Sequence, residues 1–78
     1  MKIYTQCIMD TKAKYYCFRQ HSDIDRLEEK TSDYQSQGYA VYSSMGLESD
    51  KAQQWIDLQK EAMEASGYTF DPSGAFIG

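Results

Sequence analysis

Histidine and proline each occur once in these 78 residues, cysteine occurs twice, and no apolar run is long enough to cross a bilayer. A single His21 denies the chain the base–nucleophile pairs and ligand sets that imidazole chemistry requires. A site of Cys7, Cys17 and His21 can be drawn, but nothing in the spacing selects it. Neither cysteine belongs to a Cys-x-x-Cys pair, and two are too few for a disulfide-stapled secreted scaffold. Glycine-rich phosphate loops, the nucleophile elbow and the dinucleotide fingerprint are missing as well. The start, Met1 to Gln6, lacks the continuous apolar stretch of a signal peptide. The expectation is a soluble cytoplasmic protein, not an enzyme, with no metal, no cofactor and no membrane partner.

What is present begins with a two-stranded ribbon. Lys2–Met9 and Lys14–Arg19 are rich in β-branched and aromatic residues, with polar Asp10-Thr11-Lys12 between them. A loop of Thr11-Lys12-Ala13 sets Ile8 opposite Tyr16 and Cys7 opposite Cys17, close enough for a reversible disulfide. A thiol switch through Cys7 and Cys17 is therefore one reading, against the plainer one that both are packing residues. In that register Tyr4, Ile8, Tyr16 and Phe18 share one face, and Ile3, Cys7, Met9, Tyr15 and Cys17 share the other. Both faces are apolar, more than a ribbon with one buried face requires.

After Gln20 the period changes. Ser22 is placed to cap a helix over 23–37, with Asp25 as its capping-box partner and Asp23 in the positive first turn. Ile24, Leu27, Thr31 and Tyr34 form its apolar stripe, and Gly38 supplies the left-handed position that ends it. The acids around Asp23 and Asp25 lack the glycine and terminal glutamate of a calcium loop. Tyr39–Ser44 reads as a short strand. A second helix starts near Ser49 or Asp50, carries Ala52, Trp55, Ile56, Gln59, Ala62 and Met63 at helical spacing, and closes at Gly67. Asp71-Pro72-Ser73-Gly74 fits a type I turn, so Tyr68–Ile77 forms a small terminal hairpin or a segment docked on the body. The whole is one α+β domain over residues 1–78, in the order β-β-α-β-α, a mainly antiparallel sheet packed by two helices.

Charge divides the chain unevenly. Through Gln20, Lys2, Lys12, Lys14 and Arg19 face Asp10 alone; from His21 onward eleven acids outnumber Arg26, Lys30, Lys51 and Lys60. An acidic surface disfavours direct nucleic-acid contact and favours a larger protein or complex with a basic surface. The residues expected to meet that partner are Glu28, Glu29, Asp33 and Tyr34 on the first helix, Asp57, Glu61 and Glu64 on the second, and Tyr15 on the ribbon. In size, acidity and lack of catalytic motifs the chain resembles the small accessory proteins that phages make against host machinery, anti-CRISPR and polymerase-inhibitor proteins among them. That resemblance implies an inhibitor or modulator of a larger, nucleic-acid-handling complex. The alternative is a homodimeric structural or adaptor protein joined through the aromatic sheet face or a sheet edge.

Overall fold

The computed structural model describes residues 1–77. Strands β1 (Tyr4–Asp10) and β2 (Tyr15–His21) are followed by α1 (Ile24–Ser36), β3 (Ala40–Ser43), α2 (Ser49–Ala65), the two-residue β4 (Thr69–Phe70) and a 3-10 turn (Ala75–Ile77). The sheet order is β3-β1-β2-β4. β1 pairs antiparallel with β2 and β3, and β4 joins β2 in parallel. The fold is the expected small α+β domain with a mostly antiparallel sheet and two helices.

The ribbon's register differs from the one a three-residue loop would set. Cys7 lies opposite Phe18 and Ile8 opposite Cys17. The loop runs from Thr11 to Lys14, and its chemistry explains the extra residue. The Asp10 carboxylate accepts from the amides of Lys12 (2.9 Å) and Ala13 (3.0 Å), Lys14 N–H closes the turn onto the Asp10 carbonyl, and Lys14 takes the left-handed φ of 64°. A slip of one residue exchanges the faces of one strand relative to the other. Cys7, Met9, Tyr16 and Phe18 therefore share one face, while Ile8, Tyr15, Cys17 and Arg19 share the other.

Each face has its own helix. Cys7, Met9 and Tyr16 pack with Met63 of α2, with Phe18, Ala40, Trp55, Tyr68 and Phe70 around them. On the opposite face the Gln6 amide donates to Thr31 Oγ1 of α1 at 2.7 Å, and Arg19 lies over the Tyr34 ring of α1 at 5.2 Å. Topology accounts for the split. β2, β3 and β4 run parallel to one another, and the chain crosses the sheet one way from β2 to β3 and back from β3 to β4. Crossovers of one hand that travel in opposite directions must lie on opposite faces. The doubly apolar ribbon is thus an internal layer, covered by α1 and α2 on its two sides.

Both helices end alike. Tyr39 N–H reaches the Tyr34 carbonyl (3.0 Å) past Gly38 at φ 95°, and Tyr68 N–H reaches the Met63 carbonyl (2.9 Å) past Gly67 at φ 84°. These are Schellman closures, in which glycine reverses the chain at little steric cost. The starts depart from expectation. Asp23, not Ser22, caps α1 by accepting from the Asp25 amide, because the Asp23 N–H is itself held by His21 Nδ1. Gln53 of α2 bonds Asp57 rather than reaching back to cap the helix. The terminal segment docks along the body and forms no hairpin. Thr69 and Asp71 donate to the carbonyls of Lys14 and Tyr16, and Asp71-Pro72-Ser73-Gly74 closes the turn its sequence specifies. Gly74 then passes over β2, so near that a Cβ there would lie 3.6 Å from Cys17 Sγ.

Candidate functional site

The two thiols are the one redox pair in the sequence. Alternation in the observed register places Cys7 beneath α2 and Cys17 beneath the terminal segment, on opposite faces of the sheet. Both are buried and free. Burial, with a smaller contribution from Cys17, pushes the Cys7 thiol up to about 12. Burial and then Asp71 raise Cys17 to about 11, against the opposing pull of Arg19. A disulfide would require turning one strand over, and neither thiol is primed as a nucleophile. His21 stands apart from them, exposed, with Nδ1 engaged by the Asp23 amide. Among the described residues no group of three His, Cys, Asp or Glu side chains converges on a metal position, and no pocket is present. None of their helices is long and apolar enough to cross a membrane.

What the fold offers instead is surface, and it parts the predicted contact residues. Glu28, Glu29 and Asp33 are exposed on α1, Tyr34 is half-buried there over Arg19, and Tyr15 stacks on Phe76 at 6.1 Å on the same side of the sheet. Asp57, Glu61 and Glu64 are exposed on α2, on the other side. The eight residues therefore belong to two surfaces separated by the sheet, not to one.

The two acidic helices differ in arrangement. On α1, Arg26 and Lys30 fall among Asp25, Glu29 and Asp33, one turn from each in places, so the charges are mixed. On α2, Asp50, Asp57, Glu61 and Glu64 fall within about 60° of arc at 3.6 residues per turn and extend over about 21 Å of helix. Lys51 and Lys60 project to either side of that stripe, and Lys60 lies over the Phe70 ring at 4.5 Å. Among the described residues the ion pairs are those of Glu48 with the Met1 amine and Lys2, so no cation closes an ion pair with the stripe, although Lys60 stands one turn from both Asp57 and Glu64. Its lower end also stands where a helix disfavours an anion: Glu64 is in the last turn, which holds no basic residue. Glu64 joins burial in raising the Tyr16 phenol, whose hydroxyl is enclosed without a hydrogen-bond partner.

Asp50 was not among the residues the sequence singled out. The signal was available: 50, 57 and 64 recur at intervals of seven, which keeps them on one side of a helix. The chain matches no protein-family model, no curated protein and no solved structure.

Proposed function

We propose that the protein is a non-enzymatic binding module whose working surface is the carboxylate stripe of α2. Asp50, Asp57, Glu61 and Glu64 meet a basic surface on a larger protein, with Glu28, Glu29 and Asp33 of α1 as a weaker second face. The observation that carries this reading is the stripe itself: four exposed carboxylates in line with no cation between them. Such a line of charge accelerates encounter with a basic groove and resists the wrong partners. A groove that otherwise takes nucleic acid fits a stripe of this kind, which makes the protein an inhibitor or modulator of nucleic-acid-handling machinery, of the sort phages direct at their hosts. The enclosed thiols, neither of them primed as a nucleophile, support a binding role rather than thiol chemistry.

The test is capture on the immobilised protein from lysate of the source organism or its host, with Asp57→Lys, Glu61→Lys and Glu64→Lys combined. These side chains are exposed, so circular dichroism should be unchanged. Capture should be lost, and the same change at Glu28 and Glu29 should weaken it less. Retained capture by the α2 variant would remove the proposal.

A further inference from the structure

The sheet has two edges, and they are finished differently. At the β4 edge the strand is two residues long, Lys14 lies over Tyr68, Lys60 lies over Phe70, and Asp71 and Pro72 follow at once. Short strands, charge and proline are the usual guards against a further strand. The β3 edge has only its shortness. From Tyr34 through Leu47 the chain carries no Asp, Glu, Lys or Arg and no proline, although a quarter of its residues are charged (26%). Within that run Tyr42 is 55% exposed and Met45 77% exposed.

The backbone of β3 is half used. Tyr42 pairs with Cys7 and Ala40 with Met9, and Ser44 N–H donates to the Thr5 carbonyl at 2.8 Å, so the even positions turn their polar groups toward β1. Val41 and Ser43 turn theirs outward. We propose that β3 pairs antiparallel with β3 of a second copy of this chain, Val41 of each opposite Ser43 of the other and Tyr42 opposite Tyr42. This goes beyond the α2 reading and rests on a different part of the molecule.

Charge selects the occupant. A chain of net charge −4 repels its own copy over most of its surface, and an uncharged strip is where two copies can approach. A basic partner has no carboxylate here to meet. Register follows from the free groups. Moving the two-fold axis to Val41 would require the Tyr39 N–H, which is already bonded to the Tyr34 carbonyl. With the axis at Tyr42, Val41 and Ser43 exchange bonds with Ser43 and Val41 of the other copy. The two Tyr42 rings then meet as a non-hydrogen-bonded pair, the closer of the two cross-strand geometries. The two-fold axis stands perpendicular to the sheet, so both α2 stripes lie on one face of the eight-stranded assembly.

Light scattering and sedimentation across concentrations up to roughly millimolar test the dimer. Twice the chain mass of 9.0 kDa is expected at the upper end. Tyr42→Lys, which sets like charges across the axis, should raise the dissociation constant by at least about tenfold. Leu58→Lys, at a residue 63% exposed on α2, should leave it unchanged. Tyr42→Cys should form an intermolecular disulfide under mild oxidation, because opposed non-hydrogen-bonded positions have the required separation. Ser43→Cys should not. Cross-linking decides the matter even if Tyr42→Lys fails to fold. A monomer at every concentration overturns the proposal and leaves the edge to a strand of another protein. A dimer that withstands Tyr42→Lys, or that Tyr42→Cys does not trap, overturns it too.

Discussion

Under α2, Cys7, Met9 and Tyr16 meet Met63 inside a ring of Phe18, Trp55 and Phe70, with Tyr16 edge-on to Phe18 at 5.8 Å and tilted on Phe70 at 5.2 Å. Under α1, neighbouring strand positions carry Gln6 and Arg19, directly paired across β1 and β2. Gln6 donates to Thr31 and Ser43, Thr31 donates back to the Leu27 carbonyl, and one atom each of Gln6 and Arg19 is enclosed without a partner. Two helices of similar charge thus dock on one sheet by means that differ in part: Ile8, Cys17 and Leu27 are buried on the α1 side too, but polar groups are enclosed beside them. Apolar contact is non-directional and supplies most of the driving force; hydrogen bonds supply little net energy but fix where the partner sits. Both faces bury apolar side chains, and the α1 face adds the hydrogen bonds that set the position of its helix.

The largest effect should come from the apolar side. Tyr16→Ala empties a fully buried ring position and should cost about 3–5 kcal/mol, read as a fall in the denaturant midpoint of the whole molecule. Gln6→Ala should cost about 1–3 kcal/mol. Its signature should be local, with hydrogen exchange rising in α1 ahead of α2. Gln6→Met keeps the volume and removes the unpartnered oxygen, so it should cost less than about 1.5 kcal/mol while still loosening α1. Equal loosening of both helices would erase the contrast drawn between the faces.

A smaller effect compares the two thiols, one on each face. Unfolded cysteine ionises near 9.0, whereas the folded protein holds the Cys7 proton to about 12 and the Cys17 proton to about 11. Between those values the native state binds more protons than the unfolded chain. Their contribution to stability is therefore intact below pH 9 and lost as pH rises through the folded values. Unfolding followed from pH 8 upward should show a decline that Cys7→Ala flattens more than Cys17→Ala. A steeper dependence on Cys17 would mean that the α1 side is the drier one.

Much of this was legible in the residues, and what was not has physical causes. Period two marked β1 and β2, the Ile24-Leu27-Thr31-Tyr34 stripe marked α1, and Gly38 and Gly67 marked both helix ends. The register of β1 on β2 was not legible, because Lys14 adopts a left-handed conformation without the glycine or asparagine that normally announces one. That single residue moved Cys7 away from Cys17. The division of the helices between two faces depends on strand order, which local patterns do not contain; given the order β3-β1-β2-β4, it follows from the handedness of crossovers. Of the residues proposed for contact, the acids of α2 were found by composition, and their alignment in one stripe follows from helical spacing.

The passage of Gly74 over Cys17 equips the molecule with two clocks. Alkylation of Cys17 should follow lifting of the terminal segment, whereas alkylation of Cys7 should wait for α2 and its aromatic ring to leave the sheet. Labelling rates of the two sulfurs, compared in one sample, separate fraying from global opening without any engineered probe.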